Sequence, residues 1–172
     1  MTLILRPFQR SDETAALGAR AEFQGSGFDF LTFDFDPAMP WVEWIDLMER
    51  YRRGVDLPSG RVRGAILAGD VDGELVGSIS IRFALNDYLA FRGGHIGYGV
   101  VTGYRRLGYA TEMLREGLGV ARAEGVESVL LTCDDDNIGS ATVIERCGGA
   151  LESVAVDENG VKFRRYWLAP PS

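Results

Sequence analysis

The sequence predicts an α/β fold of the α+β kind, a mixed sheet with helices on its faces, and three observations predict it. β-Rich runs flank turn clusters at Asp70-Val71-Asp72-Gly73-Glu74 and at Asp157-Glu158-Asn159-Gly160, and Asn-Gly is a strong hairpin signal. Between those hairpins, apolar runs at 95–101 and 128–132 enclose a segment with helical apolar spacing, a strand–helix–strand unit. Ahead of them, Trp41, Trp44, Ile45, Met48 and Tyr51 recur at helical spacing behind Pro40.

The elements follow in order. Leu3-Ile4-Leu5 is a short strand stopped by Pro7, and Ser11 and Asp12 offer cap oxygens to a helix running to about Glu22. The stretch 25–40 is rich in Phe and Asp without a clean period and reads as a loop. After the helix at 41–51, strands at 65–68 and 75–83 form the first hairpin, and a loop at 84–93 leads to a strand over 95–101. Ala110, Met113, Leu114, Leu118 and Ala121 define a third helix, and 128–132 a buried strand. A short helix at 140–147 ends at Gly148-Gly149. Runs at 151–156 and 161–168 make the closing hairpin.

Size and charge exclude several classes. A chain of 172 residues buries roughly 70% of its unfolded surface as one domain, so it needs neither disulfides nor metal to fold. The formal net charge of −7 argues against a nucleic-acid binder, which needs a basic face, and against a polybasic membrane surface. No apolar run approaches the roughly 20 residues of a membrane span, and the first seven residues lack a secretory signal's apolar core, so a cytoplasmic location is expected. Cys133 and Cys147 sit among apolar neighbours and read as buried thiols; with one histidine, no His-rich metal site is expected. Its 22 glycines, against a usual share near 7%, are scattered at element ends and signal many turns.

The chemistry concentrates in 95–110, His-Ile-Gly-Tyr-Gly-Val-Val-Thr-Gly-Tyr-Arg-Arg-Leu-Gly-Tyr-Ala. A strand ends near Val101, a loop carries Arg105-Arg106-Leu107-Gly108, and a helix begins at Tyr109-Ala110. Amides at a helix start lack intrahelical partners and lie at the positive end of the helix dipole, a ready anion site. Gly108 and Ala110 admit close backbone approach, and two arginines add charge-assisted donors. A phosphate or pyrophosphate site is expected; the plainer reading is a turn glycine beside a solvated arginine pair. No Gly-Lys-Ser/Thr follows, so it is not a Walker loop, and Gly103-x-x-x-x-Gly108 fails the Rossmann spacing.

Arg105-x-x-Gly108-x-Ala110 resembles the Arg/Gln-x-x-Gly-x-Gly/Ala pyrophosphate signature of the GNAT superfamily of acetyl-CoA-dependent N-acetyltransferases. Its setting is similar too. Val100 stands five residues before Arg105, Asn137-x-x-Ser140 follows the next strand, and the tail closes on Arg165-Tyr166-Trp167-Leu168. The likeness spans about residues 65–168, with the first third similar in element order alone. Its His-Ile-Gly-Tyr run looks nearest the branch with ribosomal-protein N-terminal acetyltransferases. The resemblance implies a splayed sheet, acetyl-CoA as cosubstrate and no metal. It also implies that the amides of Arg105, Arg106, Leu107, Gly108, Tyr109 and Ala110 hold the coenzyme A pyrophosphate. Val100 and Thr102 fall where strand backbone bonds the pantetheine arm, with Thr102 where the family often has proline. Asn137 corresponds to a residue bonding the pantetheine or adenine side, or else it caps a helix.

The implied reaction is attack of an amine on the thioester carbonyl. An ammonium of pKa near 10.4 must lose a proton, a cost of about 4.6 kcal/mol at pH 7, and the leaving thiolate wants a donor. Ile144 occupies the place where many family members carry a tyrosine, which leaves Ser140 as the available hydroxyl or as an N-cap. The related branch often has Glu where this chain has His95, so His95 is either the base or a structural histidine in the sheet. The Asp134-Asp135-Asp136 run is a solvated loop or faces an ammonium. Asp29, Asp34 and Asp36, interleaved with Phe28, Phe30, Phe33 and Phe35, line an acceptor cleft or form a half-buried strand. The expected partner is an amine on a small molecule or a peptide, with no nucleic acid and no membrane; a homodimer stays open. Two rivals are kept: a coenzyme A-binding module without turnover, and a regulator binding another phosphate ligand.

Overall fold

The computed structural model describes residues 2–32 and 35–169. Strand β1 (Leu3–Pro7) is followed by a 3-10 turn (Arg10–Asp12) and helices α1 (Glu13–Glu22) and α2 (Trp41–Arg53). Strands β2 (Gly64–Val71), β3 (Glu74–Arg82) and β4 (Ile96–Val100) lead to α3 (Tyr109–Ala123). Then come β5 (Val129–Asp134), α4 (Ile138–Arg146), β6 (Ala150–Val156) and β7 (Lys162–Leu168). Two antiparallel sheets result, ordered β1-β2-β3-β4 and β5-β7-β6.

The sheets meet where β4 and β5 start. His95 N donates to Leu130 O at 2.7 Å, and Leu130 N donates to His95 Nδ1 at 2.9 Å. The α3 crossover joins the two strands and so connects the two antiparallel sheets at this junction. Beyond it no ladder joins them among the described residues, and the sheets splay apart.

Strand alternation explains why helices cover both faces. In β2, Ala65 and Leu67 belong to the core under α3, while Ile66 and Ala68 belong to the core under α1 and α2. Met113, Leu114, Gly117, Leu118 and Ala121 form the buried stripe of α3. On the other face, Trp41, Trp44 and Met48 of α2 pack with Phe8, Phe23, Phe30 and Phe35. Helix α2 thus spends its aromatic stripe on the core, as its spacing predicts.

Several boundaries differ from expectation. The first hairpin turns on Asp72-Gly73 alone, both at positive φ (54° and 90°), so β2 runs on through Val71 in the Asp-Gly type of two-residue turn. Asp12 does not cap α1. Its carboxylate accepts from Arg6 at 2.7 and 2.9 Å and from Gln9 N at 2.7 Å, because a largely buried guanidinium outcompetes an exposed helix end. The segment expected as a loop at 84–93 holds a π-helical turn (Leu89–Gly93), nucleated by Asn86 Oδ1 accepting from Leu89 N at 2.8 Å. The fourth helix starts at Ile138 rather than at Ser140.

Candidate functional site

The β4–α3 connection alternates the sign of its backbone. Arg106 lies at φ 63°, Leu107 is outside the positive-φ set, and Gly108 lies at φ 91°. Such alternation turns successive amides toward one point, an anion-binding nest. α3 begins directly afterwards: Gly108 O accepts from Thr111 N at 3.0 Å and from Glu112 N at 3.2 Å. The amides of Arg106, Leu107, Gly108, Tyr109 and Ala110 donate to no acceptor among the described residues. Nothing lies within 4 Å of where a Gly108 Cβ would stand, so the nest opens to solvent. The sequence pointed to both Gly108 and Arg106; the left-handed backbone of Arg106 is the new feature, which no residue-type preference announces.

The side chains of the loop take different roles. Arg105 folds back: its Nε donates to Val100 O at 2.9 Å, and its guanidinium carbon lies 5.5 Å from the Phe23 ring centroid. It braces the loop against β4 and α1. Leu107 is exposed, while Tyr109 and Ala110 pack against the α3 core. The Thr102 amide, expected to be open, donates to Glu22 Oε2 at 3.1 Å. That amide, with the Thr102 hydroxyl, holds the Glu22 carboxyl below its ordinary range.

Ladder bonds decide which edge of β4 is available. Val101 N donates to Val76 O and Arg82 N donates to His95 O, so odd-numbered positions of β4 bond β3. The backbone groups of Tyr98 and Val100 therefore point into the gap opposite β5. On the far wall, Asn137 Oδ1 accepts from Ser140 N at 3.0 Å and caps α4. Asn137, not Ser140, is the N-cap.

Ser140 turns its hydroxyl to Tyr98, with Oγ and Oη 3.1 Å apart. Burial pushes the Tyr98 phenol well above its ordinary pKa, so it keeps its proton. Tyr98 was missed as a functional residue; its place one residue past Gly97 on the gap-facing edge of β4 was the signal. Cys133 lies beside this pair, and burial raises its thiol, as it does that of Cys147. Ile144, at the position of the family's tyrosine, is fully buried core.

His95 is buried, and its Nδ1 lone pair is taken by the Leu130 amide. Nε2 therefore carries the proton. Burial first, and then the Arg82 charge, lowers its pKa, so the ring is neutral. A neutral ring with its basic nitrogen committed to the strand junction has no free lone pair for an incoming ammonium. Two carboxylates of the Asp134–Asp136 run are likewise engaged: Asp134 pairs with Arg92, and Asp135 accepts from Arg164 Nε at 2.7 Å.

A cleft of about 680 Å³ opens on the face of β4 away from α3. Phe28 and Asp29 line it together with Arg82, Tyr88, Phe91 and Gly97. Phe30 and Phe35 are core instead, and Asp36 accepts from Ala38 N in its own turn. Phe33 and Asp34 lie outside the described residues. Among the described residues, no group of three or more His, Cys, Asp or Glu could hold a metal, and no helix is long and apolar enough to cross a membrane.

Comparison with known proteins agrees with this geometry. No curated protein sequence matches the chain. Among solved structures it is similar to an N-acetyltransferase from Staphylococcus aureus Mu50, at 15% identity and TM-score 0.68, covering 99% of this chain and 100% of that one. It is also similar to RimL, the ribosomal L7/L12 α-N-protein acetyltransferase, at 16% identity and TM-score 0.66, covering 100% and 96%. A third is the microcin C7 self-immunity acetyltransferase MccE in complex with acetyl-CoA and AMP, at 18% identity and TM-score 0.65, covering 98% and 92%. At these identities the likeness is one of fold. The family profile of the acetyltransferase (GNAT) domain matches residues 2–150, most of the chain, and the chain belongs to that family.

Proposed function

We propose that this chain transfers an acetyl group from acetyl-CoA to a primary amine by direct attack. The observation that carries the reading is the run of unpaired amides from Arg106 to Ala110, a nest at a helix N-terminus beside an unpaired strand edge. A diphosphate fits there: five N–H groups, open space at Gly108 and no acidic side chain between Arg105 and Ala110. The gap-facing backbone of Tyr98 and the N–H of Val100 would hold the amide-bearing arm as an added strand, while the Val100 carbonyl stays with Arg105 Nε. Thr102 contributes less than expected, since Glu22 occupies its amide. Asn137 keeps its amide N–H donors for the cosubstrate while its oxygen caps α4.

When bound, acetyl-CoA supplies the thioester that the amine attacks. The Tyr98 and Ser140 hydroxyls share a hydrogen bond in which either can donate; with Tyr98 as the donor, the Ser140 proton serves the departing sulfur in place of the absent α4 tyrosine. His95 acts as a positioning residue that locks β4 to β5 at the mouth of the splay. The ammonium's proton then leaves through water in the cleft. A second reading, coenzyme A binding without turnover, draws on Ile144 in place of the tyrosine. An amine panel with acetyl-CoA and free-thiol detection tests the first reading: thiol release with at least one amine is expected. Tight acetyl-CoA binding with no release on any acceptor would favour the second.

A further inference from the structure

The cleft wall holds two polar groups that the fold leaves without partners. Arg82 is the first. Arg92 is neutralised by Asp134 and Asp157, and the Asp157 carboxylate is also occupied by the Asn159 and Val161 amides. Arg82 has no acidic partner among the described residues; its charged and polar neighbours are Tyr51, Tyr88 and Arg61. Arg82 is partly buried in the cleft wall, and burial, the largest influence on it, presses its pKa down. Leaving such a group unpaired costs folding free energy, which a bound anion would return. Thr32 is the second. Its hydroxyl is buried without a partner, and its backbone sits at φ 77°, a conformation a β-branched residue rarely adopts. Both residues line the cleft.

Position connects this wall to the gap. Arg82 Nη1 lies 3.7 Å from where a Gly97 Cβ would stand, and Tyr98 follows directly. An anion on Arg82 is therefore within one small molecule's length of the strand edge where acetyl transfer is assigned. The cleft's volume suits a small ligand rather than a folded partner. Its mouth carries Tyr88 and Phe91, aromatic side chains that are 66% and 47% exposed, with Phe28 on the opposite wall.

We propose that the acceptor is a small amino acid-like amine whose carboxylate docks on Arg82 and whose apolar or aromatic side group lies against Phe28, Tyr88 and Phe91. This rests on the acetyl-transfer reading and names its substrate class.

The test compares amines sharing a skeleton with and without the carboxylate: phenylalanine against phenethylamine, and leucine against isoamylamine, by thiol release. The kcat/KM ratio should favour the carboxylated member by about 10- to 100-fold, the range of a hydrogen-bonded charge contact. Arg82→Met should collapse that ratio toward unity, and Arg82→Lys should keep part of it, with acetyl-CoA affinity in calorimetry unchanged in both. A wild-type preference for the uncharged amines, or a ratio indifferent to Arg82→Met, would overturn the proposal. If acetyl-CoA binds but no amine releases thiol, acetyl transfer fails as the activity, and calorimetry with N-acetylphenylalanine still decides the anion site. Binding by the wild type that Arg82→Met abolishes supports it; no binding by the wild type overturns it.

Discussion

Tyr98 and Ser140 bring their hydroxyl oxygens to 3.1 Å across the gap where β4 parts from β5. One comes from a strand and the other from the first turn of α4, so the pair spans the two halves of the molecule at the point assigned to the leaving sulfur. Ser140→Ala should lower kcat about 10- to 100-fold, with acetyl-CoA affinity within about twofold. Tyr98→Phe, which leaves the serine but removes its hydroxyl partner, should lower kcat less. Steady-state thiol release beside calorimetry checks both. A loss confined to affinity would move Ser140 from the chemistry to cosubstrate binding.

His95 and Leu130 make a different kind of contact, a ring nitrogen serving as the acceptor of a strand amide at 2.9 Å. Because burial lowers the imidazole pKa below its ordinary 6.5, the unfolded chain binds the proton more readily than the folded one. Stability from this residue is thus complete above the unfolded value and is lost as pH falls below it. Denaturant unfolding at pH 7.5 and 5.5 should show a smaller drop in His95→Asn, whose amide oxygen still accepts from Leu130 but does not titrate. Turnover should survive His95→Asn within about threefold and fall with His95→Ala, since a positioning role needs the acceptor, not a base. Equal, severe losses in both variants would restore His95 as the general base.

Arg6 joins β1 to two carboxylates, Asp12 at 2.7 Å and Asp70 at 2.7 Å, and its removal leaves both without their cation. Arg6→Met should destabilise the protein by about 3 kcal/mol in denaturant titration. Burial alone would raise the Asp12 pKa, but the Arg6 and Gln9 hydrogen bonds outweigh it and hold it below 3.8. The Asp12 contribution is therefore present at neutral pH and lost only as pH falls through the acid range below that value. Arg6→Met should flatten this acid limb; an unchanged limb would place the stabilisation elsewhere.

Much of this was legible in the residues, and the exceptions share a cause. Periodicity located α2 and α3 because their apolar stripes meet a sheet, and Asp72-Gly73 announced its turn through a backbone few other pairs adopt. Gly108 and the helix start at Tyr109 marked the nest from local chemistry alone. What sequence could not supply was pairing over distance. Asp12 looked like a helix cap until Arg6 claimed it, and Asp134 and Asp135 looked open until Arg92 and Arg164 reached them. His95 looked basic until Leu130 took its lone pair, and Arg82 drew no notice because its lack of a carboxylate is a property of the folded cleft.

If the turn from Arg106 to Ala110 receives a diphosphate, calorimetric titration of acetyl-CoA into Gly108→Glu beside Gly108→Ala should separate the two variants. Both variants carry the same strain at φ 91°, and the Cβ of either meets no atom within 4 Å, so they differ in the charge and bulk beyond it. Gly108→Ala should stay within about threefold of the wild-type affinity while Gly108→Glu loses at least about 30-fold, as a carboxylate displaces the anion from its amides. Wild-type affinity in Gly108→Glu would contradict it.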